Sequence, residues 1–281
     1  MKKGILLLFV LAVISGAVSK EKRSCCGQTA TADFAAFGTN AMFAAAHEAP
    51  APFTYKIGGG VMKEIPSSDK KNANIFEVKA DSASNKYIFI IHEYWGLNDY
   101  IKQEAEKLQR ELGNVNVIAI DLYDGKVATD PKVAGQYMGE VKEERAQAII
   151  KAVINYVGKD ARVATIGWCF GGGWSLQSAL LLNKQAAGCV MYYGMPEKNV
   201  KRLQSLNCDV LGIFGTQDQW ITGKVVEEFQ KNMKKAKKNL EVHNYDAVHA
   251  FANPSNPHYD KEKSADAHAI AVKFLKTKFG L

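Results

Sequence analysis

Arg162-Val163-Ala164-Thr165-Ile166-Gly167-Trp168-Cys169-Phe170-Gly171-Gly172-Gly173-Trp174-Ser175-Leu176 is the stretch on which the fold turns. Arg162–Ile166 is short and rich in β-branched residues, which predicts a buried strand. From Gly172 to Leu182 the apolar residues suit a helix packed on a sheet. Between them Gly167-Trp168-Cys169-Phe170-Gly171 makes a sharp turn whose glycines let the backbone pass close to its neighbours. A nucleophile raised between two glycines, after a strand and before a helix, is a nucleophile elbow, here with cysteine in the reacting position. The helix N-terminus favours a thiolate electrostatically. The plain alternative is a small buried cysteine in a glycine-rich turn.

An elbow needs a base and a group to orient it. Downstream, Asp209–Gly215 reads as a buried strand ending in Thr216-Gln217-Asp218, which puts Asp218 in a loop just past the strand. Leu240–Tyr245 reads as a last strand, and His249 lies in the loop beyond it. Cys169, Asp218, His249 is the chain order of nucleophile, acid and histidine in α/β-hydrolases. All three fall after the carboxyl ends of predicted strands, where open α/β sheets build their sites. His243 lies inside the alternating strand and reads as structural or surface-exposed. Asp246 is a rival acid, although its place before the histidine loop suits turn formation better.

The rest of the chain alternates strands and helices from about Phe76 onward: strand Ile88–Ile91, a helix near Asp99–Leu112, strand Val115–Ile120, helical runs across Ala134–Tyr156, and a final helix near Ser264–Phe279. That order predicts an α/β fold with a mostly parallel central sheet flanked by helices. Phe53–Ile57 and Val61–Ile65, on either side of Gly58-Gly59-Gly60, read as an N-terminal hairpin leading into the sheet's antiparallel edge. At 281 residues, 47% of them hydrophobic, the chain is long enough for one large core,.

Four separated motifs together resemble the dienelactone hydrolase (carboxymethylenebutenolidase) family of the α/β-hydrolase superfamily. They are His92-Glu93-Tyr94-Trp95-Gly96-Leu97-Asn98, the Gly-Trp-Cys-Phe-Gly-Gly elbow, Gly215-Thr216-Gln217-Asp218, and Val248-His249-Ala250-Phe251. The resemblance implies a Cys169, His249, Asp218 triad, with Glu93 as the glutamate that helps ionise the thiol when substrate binds. It also implies that the oxyanion is held by the backbone N–H groups of Tyr94 and Phe170. Glu93 emerges at the end of a buried strand, where a carboxylate is costly unless paired. There is one departure. Family members acting on dienelactone clamp its carboxylate with arginines, one of them four residues after the histidine, and that position here is Asn253. Between Leu122 and Glu144 there are only Lys126, Lys132 and Lys142, and a lysine is a point charge rather than a bidentate fork.

The amino terminus carries an address. Lys2 and Lys3, an apolar run from Ile5 to Val18, and Ala17-Val18-Ser19 read as a secretory signal over residues 1–19,. The run is too short for a membrane span. Lipid attachment at Cys25 is the weaker alternative, because Lys22-Arg23-Ser24 lacks the small and apolar residues such processing needs. Residues 20–52 are expected to form a lead or tether, and residues 53–281 the hydrolase domain. The 36 basic and 29 acidic residues give a net charge of +7. The basic cluster Lys231, Lys234, Lys235, Lys237 and Lys238 reads as a solvated helix face, with no motif for nucleic acid. Cys189 and Cys208 look like core residues, and Cys25 and Cys26 are open to pairing in an oxidising compartment. The expectation is therefore an exported, monomeric hydrolase of small esters or lactones, with no cofactor or metal, working through an acyl-enzyme thioester. The alternative is a non-catalytic ligand-binding protein on the same fold.

Overall fold

The computed structural model describes residues 29–281; the signal read at residues 1–19, and Cys25 and Cys26, lie outside the described residues. One sheet contains β1 (Val61–Pro66), β2 (Asn72–Val78), β3 (Lys86–Ile91), β4 (Asn116–Ile120), β5 (Arg162–Trp168), β6 (Ala186–Tyr192), β7 (Val210–Gly215) and β8 (Leu240–Tyr245). Their spatial order is β1-β2-β4-β3-β5-β6-β7-β8. β2 runs against both of its neighbours, β1 and β4, and every other pairing is parallel. The central strands are buried along nearly their whole length, as strands covered on both faces must be.

Helices α3 (Asp99–Leu112), α4 (Pro131–Glu140), α5 (Glu143–Val157), α6 (Phe170–Leu182), α7 (Val200–Gln204), α8 (Gly223–Ala236) and α9 (Lys261–Phe279) supply that cover. α3 is amphipathic and buries Ile101, Ala105, Leu108 and Leu112 on one stripe. α6 is different: almost every residue is buried, which marks a central helix wedged behind the elbow. The parallel sheet and the helical layers agree with the alternation in the sequence.

Two segments differ from expectation. Phe53–Ile57 forms no strand. The hairpin is β1 with β2, in the register Val61 opposite Glu77 and Pro66 opposite Asn72. The glycines are occupied otherwise: the backbone N–H groups of Gly58, Gly59 and Gly60 all donate to the Glu106 carboxylate of α3, at 2.9–3.0 Å. Tyr55 Oη donates to the same group at 2.8 Å. Three successive amides wrapped on an anion make a nest, and that takes the donors a tight hairpin turn would use.

The second difference is the lead. Instead of a tether, the chain forms α1 (Ala30–Ala35), a tighter 3₁₀ turn at Ala36–Thr39 and α2 (Ala41–Ala45). Helices of this length do not hold themselves, so packing must. Phe34 and Phe43 are buried, and Phe43 stacks on Phe37 with ring centres 5.4 Å apart. Asp33 pairs with Lys198 at 2.6 Å, and Thr29 donates to Glu143 at 2.7 Å. The turn lies directly on α4: a Cβ added to Gly38 would meet the Gly135 carbonyl oxygen at 2.3 Å. Only glycine on both sides allows that approach.

Glu106→Gln keeps the volume and removes the charge that the three glycine amides grip. It is expected to cost about 2 kcal/mol in denaturant unfolding and to speed amide exchange at Gly58–Gly60. Unchanged stability would show that the nest contributes nothing.

Candidate active site

The elbow is built by collision avoidance. Cys169, between β5 and α6, has φ 54° and ψ −120°, a conformation that costs a non-glycine residue about 1–3 kcal/mol. Its amide donates to Tyr192 O at 3.0 Å, and its carbonyl accepts from Gly172 N at 3.0 Å. A Cβ on Gly167 would lie 2.1 Å from Gly171 O, and one on Gly171 would lie 2.2 Å from Ile91 O. The turn is thus pressed against the end of β3. The thiol is fully buried. Burial pushes its pKa well above the usual cysteine value; the Glu93 and Asp218 charges add to that, and the Phe170 amide pulls the other way. At rest the group is a thiol.

Its partner is His249. Nε2 of His249 lies 3.2 Å from Cys169 Sγ, and Nδ1 lies 2.6 Å from Asp218 Oδ2. Asp218 is held by the turn after β7, where Oδ1 accepts from Trp220 N at 2.7 Å and Ile221 N at 2.9 Å. Burial works against its charge, but His249 and those two amides outweigh it and hold its pKa below the ordinary value. An ionised Asp218 can only accept. His249 therefore carries a proton on Nδ1 and presents Nε2 to the sulfur.

Glu93 and Tyr94 follow β3. His92, fully buried, fixes their backbone: Nδ1 bonds Glu93 O at 2.8 Å, and Nε2 accepts from Leu122 N at 3.0 Å. The Glu93 carboxyl is buried with Oε2 unpartnered. Burial pushes its pKa up to about 8, with the Asn253 side chain opposing. The Tyr94 hydroxyl donates to Pro131 O at 2.6 Å, and Tyr94 O accepts from Tyr123 Oη at 3.3 Å, so the loop is pinned on both sides. Phe170 opens α6, whose first amides have no partner within the helix. A cavity of about 400 Å³ reaches Glu93 between Trp168, Tyr192, Pro254 and Tyr259.

The sequence reading did not identify His47. It arrives at the end of the lead, fully buried, with Nε2 4.0 Å from Cys169 Sγ and its ring 5.8 Å from that of His249. Nδ1 donates to Phe43 O at 2.7 Å. Phe43 itself stands edge-on to Trp220 and Tyr94. Burial, then the nearby His249, lower the His47 pKa to about 4, so the ring is neutral at pH 7. Phe34, Phe37 and Phe43, interspersed among alanines ahead of His47, were the available signal for a packed segment.

The rivals lie elsewhere. Asp246 is exposed and accepts from Gln217 Nε2 at 2.7 Å. His243 pairs with Glu241 at 2.7 Å on the surface. Lys126 is half-exposed, 3.3 Å from Glu140 and over the Tyr137 ring. Asn253 is buried, with Oδ1 accepting from Ser255 N and Oγ, which leaves its amide nitrogen for Glu93.

Residues 74–279 match the Dienelactone hydrolase family. The chain is 29% identical over 203 residues to Protein usf of Aquifex pyrophilus, covering 67% of this chain and 87% of that one. It is 30% identical over 142 residues to the carboxymethylenebutenolidase of Pseudomonas sp. strain P51, covering 49% and 58%. Among solved structures it is similar to a dienelactone hydrolase-like promiscuous phosphotriesterase from metagenomic libraries, with a TM-score of 0.65 and 18% identity over 78% of this chain and 99% of that one. That likeness is one of fold.

The raised Glu93 pKa has a consequence for stability. The folded protein holds this proton more tightly than the unfolded chain, where a glutamate titrates near its ordinary value of about 4.3. Its contribution is therefore fully present below that value and is lost as pH rises through about 8,. Glu93→Gln lacks the proton. Its melting temperature relative to wild type is expected to climb between pH 5 and about pH 8 and to level off above that,. A gap independent of pH would show that Glu93 is not held neutral.

Proposed function

The chain belongs to the dienelactone hydrolase family, hydrolases acting on carboxylic ester bonds, and on that premise we propose that it cleaves small esters or lactones through a thioester on Cys169. The observation that carries the reading is the continuous line from Asp218 Oδ2 to His249 Nδ1 at 2.6 Å and from His249 Nε2 to Cys169 Sγ at 3.2 Å. The thiol proton passes to His249 Nε2, and Sγ attacks the carbonyl carbon. The oxyanion is held by the backbone N–H groups of Tyr94 and Phe170. As the intermediate collapses, His249 returns the proton to the departing oxygen, leaving the acyl group on sulfur. Water, deprotonated by His249, then attacks the thioester, and the acid leaves as the thiol re-forms. Asp218 stays ionised and fixes the tautomer throughout. Glu93, neutral at rest, can accept the thiol's proton only after losing its own; here His249 takes that proton, and Glu93 assists the first step from its desolvated position.

For substrate, we read a preference for neutral esters and lactones. Asn253, placed where the family's arginine stands, offers no charge and has its amide turned toward Glu93. The cavity that reaches Glu93 is lined by Trp168, Tyr192 and Tyr259 on one part and by Glu104, Lys107, Lys261 and His268 on another, so the preference for neutral substrates rests on Asn253. For location, we propose export, on the strength of Lys2, Lys3 and the apolar run to Val18. Among the described residues no helix is long and apolar enough to cross a membrane.

Two comparisons of kcat/KM test this. On an activated neutral ester, Cys169→Ala is expected to be inactive, and Asp218→Asn to lose about 10³–10⁴-fold with the fold intact, while Asp246→Asn stays near wild type. Full activity in Cys169→Ala would end the thioester reading, and a reversed ranking of the two aspartates would move the acid to Asp246. On a matched pair of esters, the neutral one is expected to be preferred over its carboxylated analogue at low and high salt alike. A strong, salt-sensitive preference for the anion would assign a lysine as clamp.

A further inference from the structure

We propose that Cys169 Sγ, His249 Nε2 and His47 Nε2 together form a three-ligand site for a borderline-soft divalent cation of the zinc class, closed by the lead and exclusive of hydrolysis. The three donor atoms lie within 4.8 Å of one another, and all three residues are buried. With Zn–S near 2.3 Å and Zn–N near 2.0 Å in a tetrahedron, a sulfur and a nitrogen bound to one zinc stand about 3.6 Å apart. Here the two S···N separations are 3.2 Å and 4.0 Å, one on each side of that spacing. Shifts of a few tenths of an ångström bring them to it.

The surroundings of the donors fit a metal as well as the spacing does. A ligating imidazole normally donates its other ring N–H to a carboxylate or a carbonyl, which fixes the tautomer and aims the ligating nitrogen. Both histidines do this: His249 to Asp218 at 2.6 Å, His47 to Phe43 O at 2.7 Å. Hydrolysis explains the first arrangement. Nothing in the hydrolytic cycle needs the second, yet it fixes a bare nitrogen toward the sulfur among the rings of Phe43 and Tyr94. Two imidazoles and one thiolate make a donor set that selects zinc-like ions over magnesium or calcium. The fourth position is left to water. A groove of about 820 Å³ between the lead and the start of α4 reaches His47 from outside, past Ala44, Asp130 and Lys132.

Binding is an exchange without oxidation: the cation takes the sulfur lone pair and both Nε2 lone pairs, and the thiol proton leaves to solvent. With Sγ and His249 Nε2 occupied, neither attack nor proton transfer is possible. Because His47 belongs to the lead, the same bond ties that segment to the elbow. A cation that binds the closed form stabilises it by mass action.

The test uses the full chain, stripped with a chelator and titrated with Co²⁺ and then Zn²⁺, read by absorption rather than by turnover. It therefore stands whether or not the esterase reading does. Expected is one equivalent of Co²⁺ with a thiolate-to-cobalt charge-transfer band and the visible bands of a four-coordinate ion, displaced by Zn²⁺. Cys169→Ser is expected to abolish the charge-transfer band. His47→Gln is expected to bind at least about tenfold more weakly, the smaller loss seen when only an outer partner of a ligand is removed. His47→Cys, which returns a soft donor, is expected to recover binding. Co²⁺ binding without a thiolate band would overturn the proposal, since it would place the ion elsewhere, as at His268 between Glu104 and Glu111. Equal affinity in the Gln and Cys variants would also overturn it, since His47 would then act through packing alone.

Discussion

The contact between the end of β5 and the start of α6 is the constraint on which the site depends. Cys169 can hold φ 54° only because Gly167 and Gly171 allow the helix to close on the strand and on Ile91 of β3. Backbone hydrogen bonds to Tyr192 and Gly172 hold it there. A residue strained in this way persists when its surroundings over-determine it, and here the surroundings are three adjacent parallel strands. The same geometry sets the sulfur before the first amides of α6 and within reach of two loops that follow β7 and β8. The sheet supplies the positions; the loops supply the chemistry.

Electrostatics at the site work by withholding charge. Cys169 and Glu93 are both desolvated, and both have their pKa pushed upward by burial. Asp218 alone is held ionised, by two backbone amides and His249. The resting site is therefore nearly neutral around the Cys169 thiol. A thiol is resistant to stray electrophiles and oxidants in a way a thiolate is not, and it becomes reactive when a base takes its proton. His47, whose Nε2 lies 4.0 Å from the sulfur and whose ring packs on Phe43, extends the same protection sterically.

Much of this was legible in the sequence. The elbow, the chain order of Cys169, Asp218 and His249, and the emergence of Glu93 from a buried strand follow from local composition, and the structure brings these side chains to one end of the sheet. Asp246 could be ranked below Asp218 from its turn-forming place, and its exposure agrees. What escaped was non-local. Gly58-Gly59-Gly60 resembles a hairpin turn until Glu106, almost fifty residues later, is seen to take all three amides. The lead was unreadable for a related reason. Helices of five or six residues carry too few turns for a periodic signal, and what orders Phe43 and His47 is contact with Trp220 and Tyr94, far away in the chain. Asn253 reads in the sequence only as a missing arginine; its place beside Glu93 is set by the folding of two loops far apart in the chain.

The central claim is that Cys169 carries the acyl group. The most direct measurement is mass spectrometry of protein quenched in acid within the first turnovers of an activated ester. The account predicts one acyl increment per chain, located on the peptide containing Cys169 and removed by hydroxylamine. Continued turnover with no adduct on that peptide, or an adduct on another residue, would contradict it.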